Sequence, residues 1–124
     1  MLTSPRKIYK LFIKFTTWNK CSKAENLLKM YPEYIMPWQK AFEEAAHNKS
    51  YSACNWLFMT SKTLGILINV HYNDDELILD VFQNGYLDIA SKICSWDKEY
   101  PWLILLESRI ITMKKNDEII KLLS

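Results

Sequence analysis

Two histidines and three cysteines carry the strongest claim to nucleophilic, acid–base or metal chemistry in this 124-residue chain. Cys54 lies seven residues beyond His47, and a thiol beside an imidazole is the pairing a cysteine nucleophile needs. Its neighbours point elsewhere. Ala53, Cys54, Trp56, Leu57 and Phe58 make an apolar helical face, on which a thiol serves as a small hydrophobe. His71 is followed by Asp74 and Asp75, but no second nitrogen or thiolate falls at ligand spacing, so no metal centre is expected. Glu43-Glu44 and Asp74-Asp75-Glu76 read as surface and first-turn acids, which the positive end of a helix favours. Two glycines cannot build a phosphate-cradling loop. No catalytic residue, metal ligand or cofactor is expected, and the chain is read as a non-enzyme.

The same cysteines bound the setting. Cys21, Cys54 and Cys94 are odd in number and widely spaced, which suits neither a disulfide framework nor a zinc site, so a reducing cytoplasm is expected. No run of 18 apolar residues exists to span a bilayer, and lysines interrupt the apolar residues that a secretory signal would need. About half of the residues are apolar, enough for a single domain over residues 1–124 with a sizeable core. Charge is uneven. Residues 1–29 hold seven basic side chains (Arg6, Lys7, Lys10, Lys14, Lys20, Lys23, Lys29) against Glu25, a balance of +6, and the remainder stands at −4.

These residues must be positioned by helices, because two glycines and four prolines are too few turn residues for an all-β fold. Ser4-Pro5 predicts a helix start, with Ile8, Leu11, Phe12 and Phe15 on one face and Lys7, Lys10 and Lys14 on the other. Ser22 and Glu25 form a capping box for a second helix that stops before Pro32. Pro37-Trp38 starts a third helix through His47, and Tyr51 to Met59 makes a fourth. Ile66 to Val70 has no partner strand and reads as a buried extended loop. Asn73 and Glu76 then suggest a capping box for a fifth helix, turned at Asn84-Gly85 into a sixth that ends near Trp96. Helices from Pro101-Trp102 through Ile111 and from Asn116 to Ser124 complete eight.

In register, the second helices begin at Ser22, Tyr51, Leu87 and Asp117, which are 29, 36 and 30 residues apart. That spacing predicts an all-α solenoid of four hairpins, over approximately 4–31, 37–60, 73–96 and 101–124. A non-repetitive helical bundle is the alternative.

Asn84-Gly85-Tyr86-Leu87-Asp88-Ile89-Ala90 resembles the N-G-H-L-E-I-V turn and second helix of ankyrin repeats. The lead-in from Ile68 to Glu76 is similar to the inter-repeat segment of the degenerate ankyrin arrays of large DNA viruses. Trp56-Leu57 and Lys121-Leu122-Leu123 resemble the family's K-W-L and K-L-L endings. The Thr-Pro-Leu-His opening is absent, and Asp74-Asp75-Glu76-Leu77 and Pro37-Trp38 stand in its place. The resemblance implies stacked hairpins that bind another protein, in the host cytoplasm if the chain is viral, and no chemistry.

Two features are candidates for the binding surface. Arg6, Lys7, Lys10 and Lys14 give the first helix a basic face, suited to nucleic acid or to an anionic membrane. Without acids before Glu25 the segment also has the look of a mitochondrial transit sequence, and the plainest reading is the solvated outer face of a terminal repeat. Trp38 and Trp102 are the aromatic candidates, since tryptophan dominates binding hot spots, although most of the tryptophans should be core.

Overall fold

The computed structural model describes residues 4–101, and of Asn73 and Asp74 the backbone alone. Six α-helices and no strand are present among them: α1 (Pro5–Thr17), α2 (Cys21–Met30), α3 (Trp38–His47), α4 (Tyr51–Thr63), α5 (Tyr72–Gln83) and α6 (Leu87–Trp96). The all-α expectation holds for these residues. The seventh and eighth helices and the fourth hairpin lie outside the described residues.

Helix α1 begins as the sequence dictates. Ser4 is extended at φ −65° and ψ 144°, its hydroxyl accepts the Lys7 N–H, and Pro5 follows where no amide hydrogen is needed. Every third or fourth residue then turns inward, burying Ile8, Phe12 and Thr16. Thr16 is polar yet buried, and its hydroxyl donates back to the carbonyls of Phe12 (2.9 Å) and Ile13 (3.0 Å).

The three hairpins share one turn. Helices α1, α3 and α5 each lead into the next helix through three residues, with the middle one left-handed: Asn19 at φ 59°, Lys49 at φ 58° and Gly85 at φ 79°. Each turn closes with the paired hydrogen bonds of a Schellman motif. Lys20 N–H donates to Phe15 O and Asn19 N–H to Thr16 O; Ser50 to Ala45 and Lys49 to Ala46; Tyr86 to Val81 and Gly85 to Phe82. Gly65, at φ 79°, ends α4 in the same way, with Ile66 N–H on Ser61 O and Gly65 N–H on Lys62 O.

Two helix starts differ from the expected ones. The Ser22–Glu25 capping box does not form: α2 begins at Cys21, with Lys20 at the cap position and no side-chain cap, because the turn sets where the next helix resumes. Helix α5 begins at Tyr72 with His71 as its cap residue, ahead of the cap position expected at Asn73. Helix α4 also runs past Met59 to Thr63, whose hydroxyl donates to Met59 O at 3.0 Å.

The chain divides into two compact units between Asn69 and Val70. In the first, α1 packs on α2, α3 and α4, and α3 packs on α4. Phe12 lies 5.1 Å from Trp38 and 6.2 Å from Trp56, centroid to centroid, so one aromatic cluster joins three helices. Ala41, Ala45 and Ala46 of α3 are fully buried and small enough to admit those rings close to the backbone. The two hairpins are also stitched through their turns. Asn19 Oδ1 accepts the Ala53 N–H at 2.9 Å, Asn48 Nδ2 donates to Thr17 O at 2.8 Å, and Ser50 Oγ donates to the same carbonyl. The Ile66–Val70 segment is a loop, as expected, but only partly buried: Ile68 and Val70 turn inward while Leu67 is exposed, and a reciprocal pair holds it to α3, with Gln39 Nε2 donating to Asn69 O (2.9 Å) and Asn69 N–H to Gln39 Oε1 (2.8 Å). In the second unit α5 packs on α6, burying Leu77, Ile78, Val81 and Phe82 against Ile89, Ala90 and Ile93.

Candidate binding surface

Arg6, Lys7, Lys10 and Lys14 are all exposed on α1, opposite Ile8, Phe12 and Thr16. Lys7, Lys10 and Lys14 succeed one another at three- and four-residue steps, with Arg6 four residues before Lys10, so these side chains rise from sites about 5–6 Å apart. Among the described residues no ion pair engages any of the four. Lys20, Lys23 and Lys29 are exposed as well, and Lys23 leans over the Phe15 ring with its Nζ 5.8 Å from the centroid. Insertion of α1 into a bilayer is a different matter, because Phe12 and Ile8 are already committed to the core. What α1 offers outward is charge, with Leu11 exposed at its edge.

The aromatic candidates divide. Trp38 is 4% exposed and its ring packs on Phe12 and Trp56, so it belongs to the core and not to a partner-binding face. Trp102 lies outside the described residues. Trp18, not singled out by the sequence, is 62% exposed at the end of α1 beside the basic face. Its position just after the last helical turn is the only sequence signal that pointed there.

His47 and Cys54 sit in different environments. His47 is exposed while Cys54 is buried, and burial, with the Cys21 thiol nearby, pushes the Cys54 thiol up to about 12. Burial takes Cys94 to about 12 as well. All three cysteines are free.

Polar side chains also converge around His71. Its Nδ1 lies 2.5 Å from Asp75 Oδ1 and its Nε2 2.8 Å from Asp97 Oδ2. The Tyr100 hydroxyl donates to Asp75 Oδ2 at 2.8 Å, and the Tyr100 ring lies 4.1 Å from the imidazole. Asp75 takes a left-handed backbone at φ 63°, which aspartate tolerates better than most residues, and it is almost wholly buried. Burial would lower the imidazole, but hydrogen bonds to Asp97 and Asp75 and their negative charges outweigh it and hold His71 above the usual histidine range. The sequence pairs His71 with Asp74 and Asp75; Asp97 and Tyr100, more than 20 residues away, carried no local signal. No group of three or more metal-ligating side chains forms a site among the described residues, and no helix there is long and apolar enough to cross a membrane.

No protein-family model matches the sequence, and neither a characterised protein nor a solved structure is significantly similar to it.

Proposed function

We propose that the chain is a non-enzymatic protein-interaction module of degenerate ankyrin-like helical repeats, working in the reducing cytoplasm. The observation that carries this reading is the shared turn. Three helical hairpins close through the same left-handed residue and the same hydrogen-bond pair, and in the first unit consecutive hairpins are stitched turn to turn. Stacking equivalent hairpins is how helical-repeat proteins build one continuous core and a long surface for a partner. The Asn84–Ala90 resemblance and the three free cysteines agree with it. The test is quantitative cross-linking of the intact chain in its native source, followed by reconstitution with the purified captured protein. A saturable one-to-one complex supports the module, and a chain that forms none with any captured protein defeats it.

A second reading has its own observation. Seven exposed cations on the first two helices and the turn between them, with none in an ion pair among the described residues, suit a polyanion such as DNA or RNA. Titration at several salt concentrations separates the two, because phosphate contacts weaken steeply as salt rises and a flat, null titration removes the nucleic acid.

A further inference from the structure

The cluster around His71 has a proton-counting problem. A carboxylate accepts hydrogen bonds and donates none, and both ring nitrogens of His71 lie on carboxylates, at 2.5 Å from Asp75 and 2.8 Å from Asp97. Only the imidazolium donates from both nitrogens; a neutral ring has one N–H, and its bare nitrogen would face an oxygen lone pair. We propose that His71 is a proton-operated clasp, holding the chain that follows α6 to the start of α5 while charged and releasing it when neutral.

Burial decides which contact gives way. The Asp75 side chain is 9% exposed, and its second oxygen already takes the Tyr100 hydroxyl. The Asp97 side chain is 41% exposed, so it can return to water at far smaller cost. The neutral ring therefore keeps its proton on Nδ1, towards Asp75, and Asp97 swings away. Asp97 is the residue that ends α6, and its carbonyl accepts the Tyr100 N–H at 3.3 Å, so that amide is loosened as Asp97 leaves, while the Tyr100 hydroxyl stays on Asp75. Asp75 faces the ring from α5, Asp97 from the end of α6 and Tyr100 from the chain beyond. The phenol of Tyr100 is itself raised, by its bond to Asp75 and then by burial and the neighbouring negative charges, so it keeps its proton while His71 loses one. The clasp opens on the alkaline side, because the two carboxylates stabilise the charged ring.

The experiment is imidazole nitrogen NMR of the intact, isotope-labelled chain across pH, with amide hydrogen exchange at Tyr100 followed in parallel. The expected titration has a midpoint above the ordinary histidine value of about 6.5 and a neutral form protonated on Nδ1. Exchange at Tyr100 accelerates through that midpoint beyond the tenfold per pH unit of base catalysis. Asp97→Asn, at an exposed position, lowers the midpoint and keeps the Nδ1–H tautomer. His71→Gln removes the extra acceleration. A midpoint at or below 6.5, a neutral form protonated on Nε2, or Tyr100 exchange that ignores the His71 titration overturns the proposal.

Discussion

The side-chain oxygen of Asn19 accepts the backbone N–H of Ala53 across 34 residues, at 2.9 Å. Ala53 is the third residue of α4, whose own cap residue Ser50 makes no side-chain cap and turns its hydroxyl to Thr17 instead. The turn of the first hairpin thus caps the second helix of the next. Asn19 has two duties, a left-handed backbone and a remote cap. Asn19→Gly keeps the first and deletes the second, and should cost about 1 kcal/mol, the usual worth of a cap. Asn19→Ala loses both and should cost about 1 kcal/mol more, the left-handed penalty of a side chain with a Cβ and no local hydrogen bond. Urea unfolding followed by tryptophan fluorescence measures the two steps.

Gly85 offers a cleaner test of the turn alone. A Cβ added there meets nothing within 4 Å, so Gly85→Ala should cost only the backbone term, about 1 kcal/mol, with no steric addition. Gly85→Asn should fall between the two, because asparagine tolerates the left-handed region. Equal losses for Ala and Asn would show that something other than φ governs this site.

Part of this was legible in the sequence and part was not, for identifiable reasons. Ser4-Pro5 and Asn84-Gly85 announce themselves because cap and turn are local, with partners a few residues away. Lys49 does not, since a lysine at φ 58° has no preference for that geometry and is held there by the Schellman hydrogen bonds. Ser22 misled for the converse reason. Its spacing to Glu25 was right, but the preceding turn had already started the helix. Trp38 could not be told from a surface tryptophan, because burial there depends on Phe12 and Trp56 in other helices. Of the candidate surface the basic stripe was legible in full, since a helix start and a periodicity place Arg6, Lys7, Lys10 and Lys14 without any tertiary knowledge.

Burial separates Trp38 from that stripe in a single comparison. Trp38→Ala should remove about 3–5 kcal/mol of stability, as deletion of a large core aromatic does. Lys10→Gln and Lys14→Gln should each change stability by no more than about 0.5 kcal/mol, as exposed substitutions do, while weakening any binding that depends on salt. Thermal unfolding and a salt-series titration of the same variants read both effects.

Thiol reactivity should order the cysteines. Cys21 is half-exposed, whereas Cys54 and Cys94 are buried and held at about 12, and only the thiolate alkylates. Iodoacetamide at pH 8 should label Cys21 first in the native chain, and all three at similar rates in urea. Mass spectrometry of timed samples gives the order; early labelling of Cys54 would reopen the nucleophile question.

The stability of the second unit should fall on the alkaline side. His71 is raised in the folded state, so its contribution is complete below the unfolded value of about 6.5 and is lost as pH rises through the folded one. Hydrogen exchange of the α5 and α6 amides, corrected for intrinsic rates, should report a flat plateau at mildly acidic pH and a decline above it. His71→Gln should abolish that decline and leave the first unit unchanged.

Asn, Lys and Gly stand at the centre of three turns whose backbones are the same. Main-chain hydrogen bonds close each turn, so its closure does not depend on which side chain stands at its centre, even where that side chain has a second duty, as Asn19 does. A hairpin built this way can exchange its most diagnostic letter while its geometry stays put. The likeness among these three lies in φ and in carbonyl positions, not in the residue at the centre.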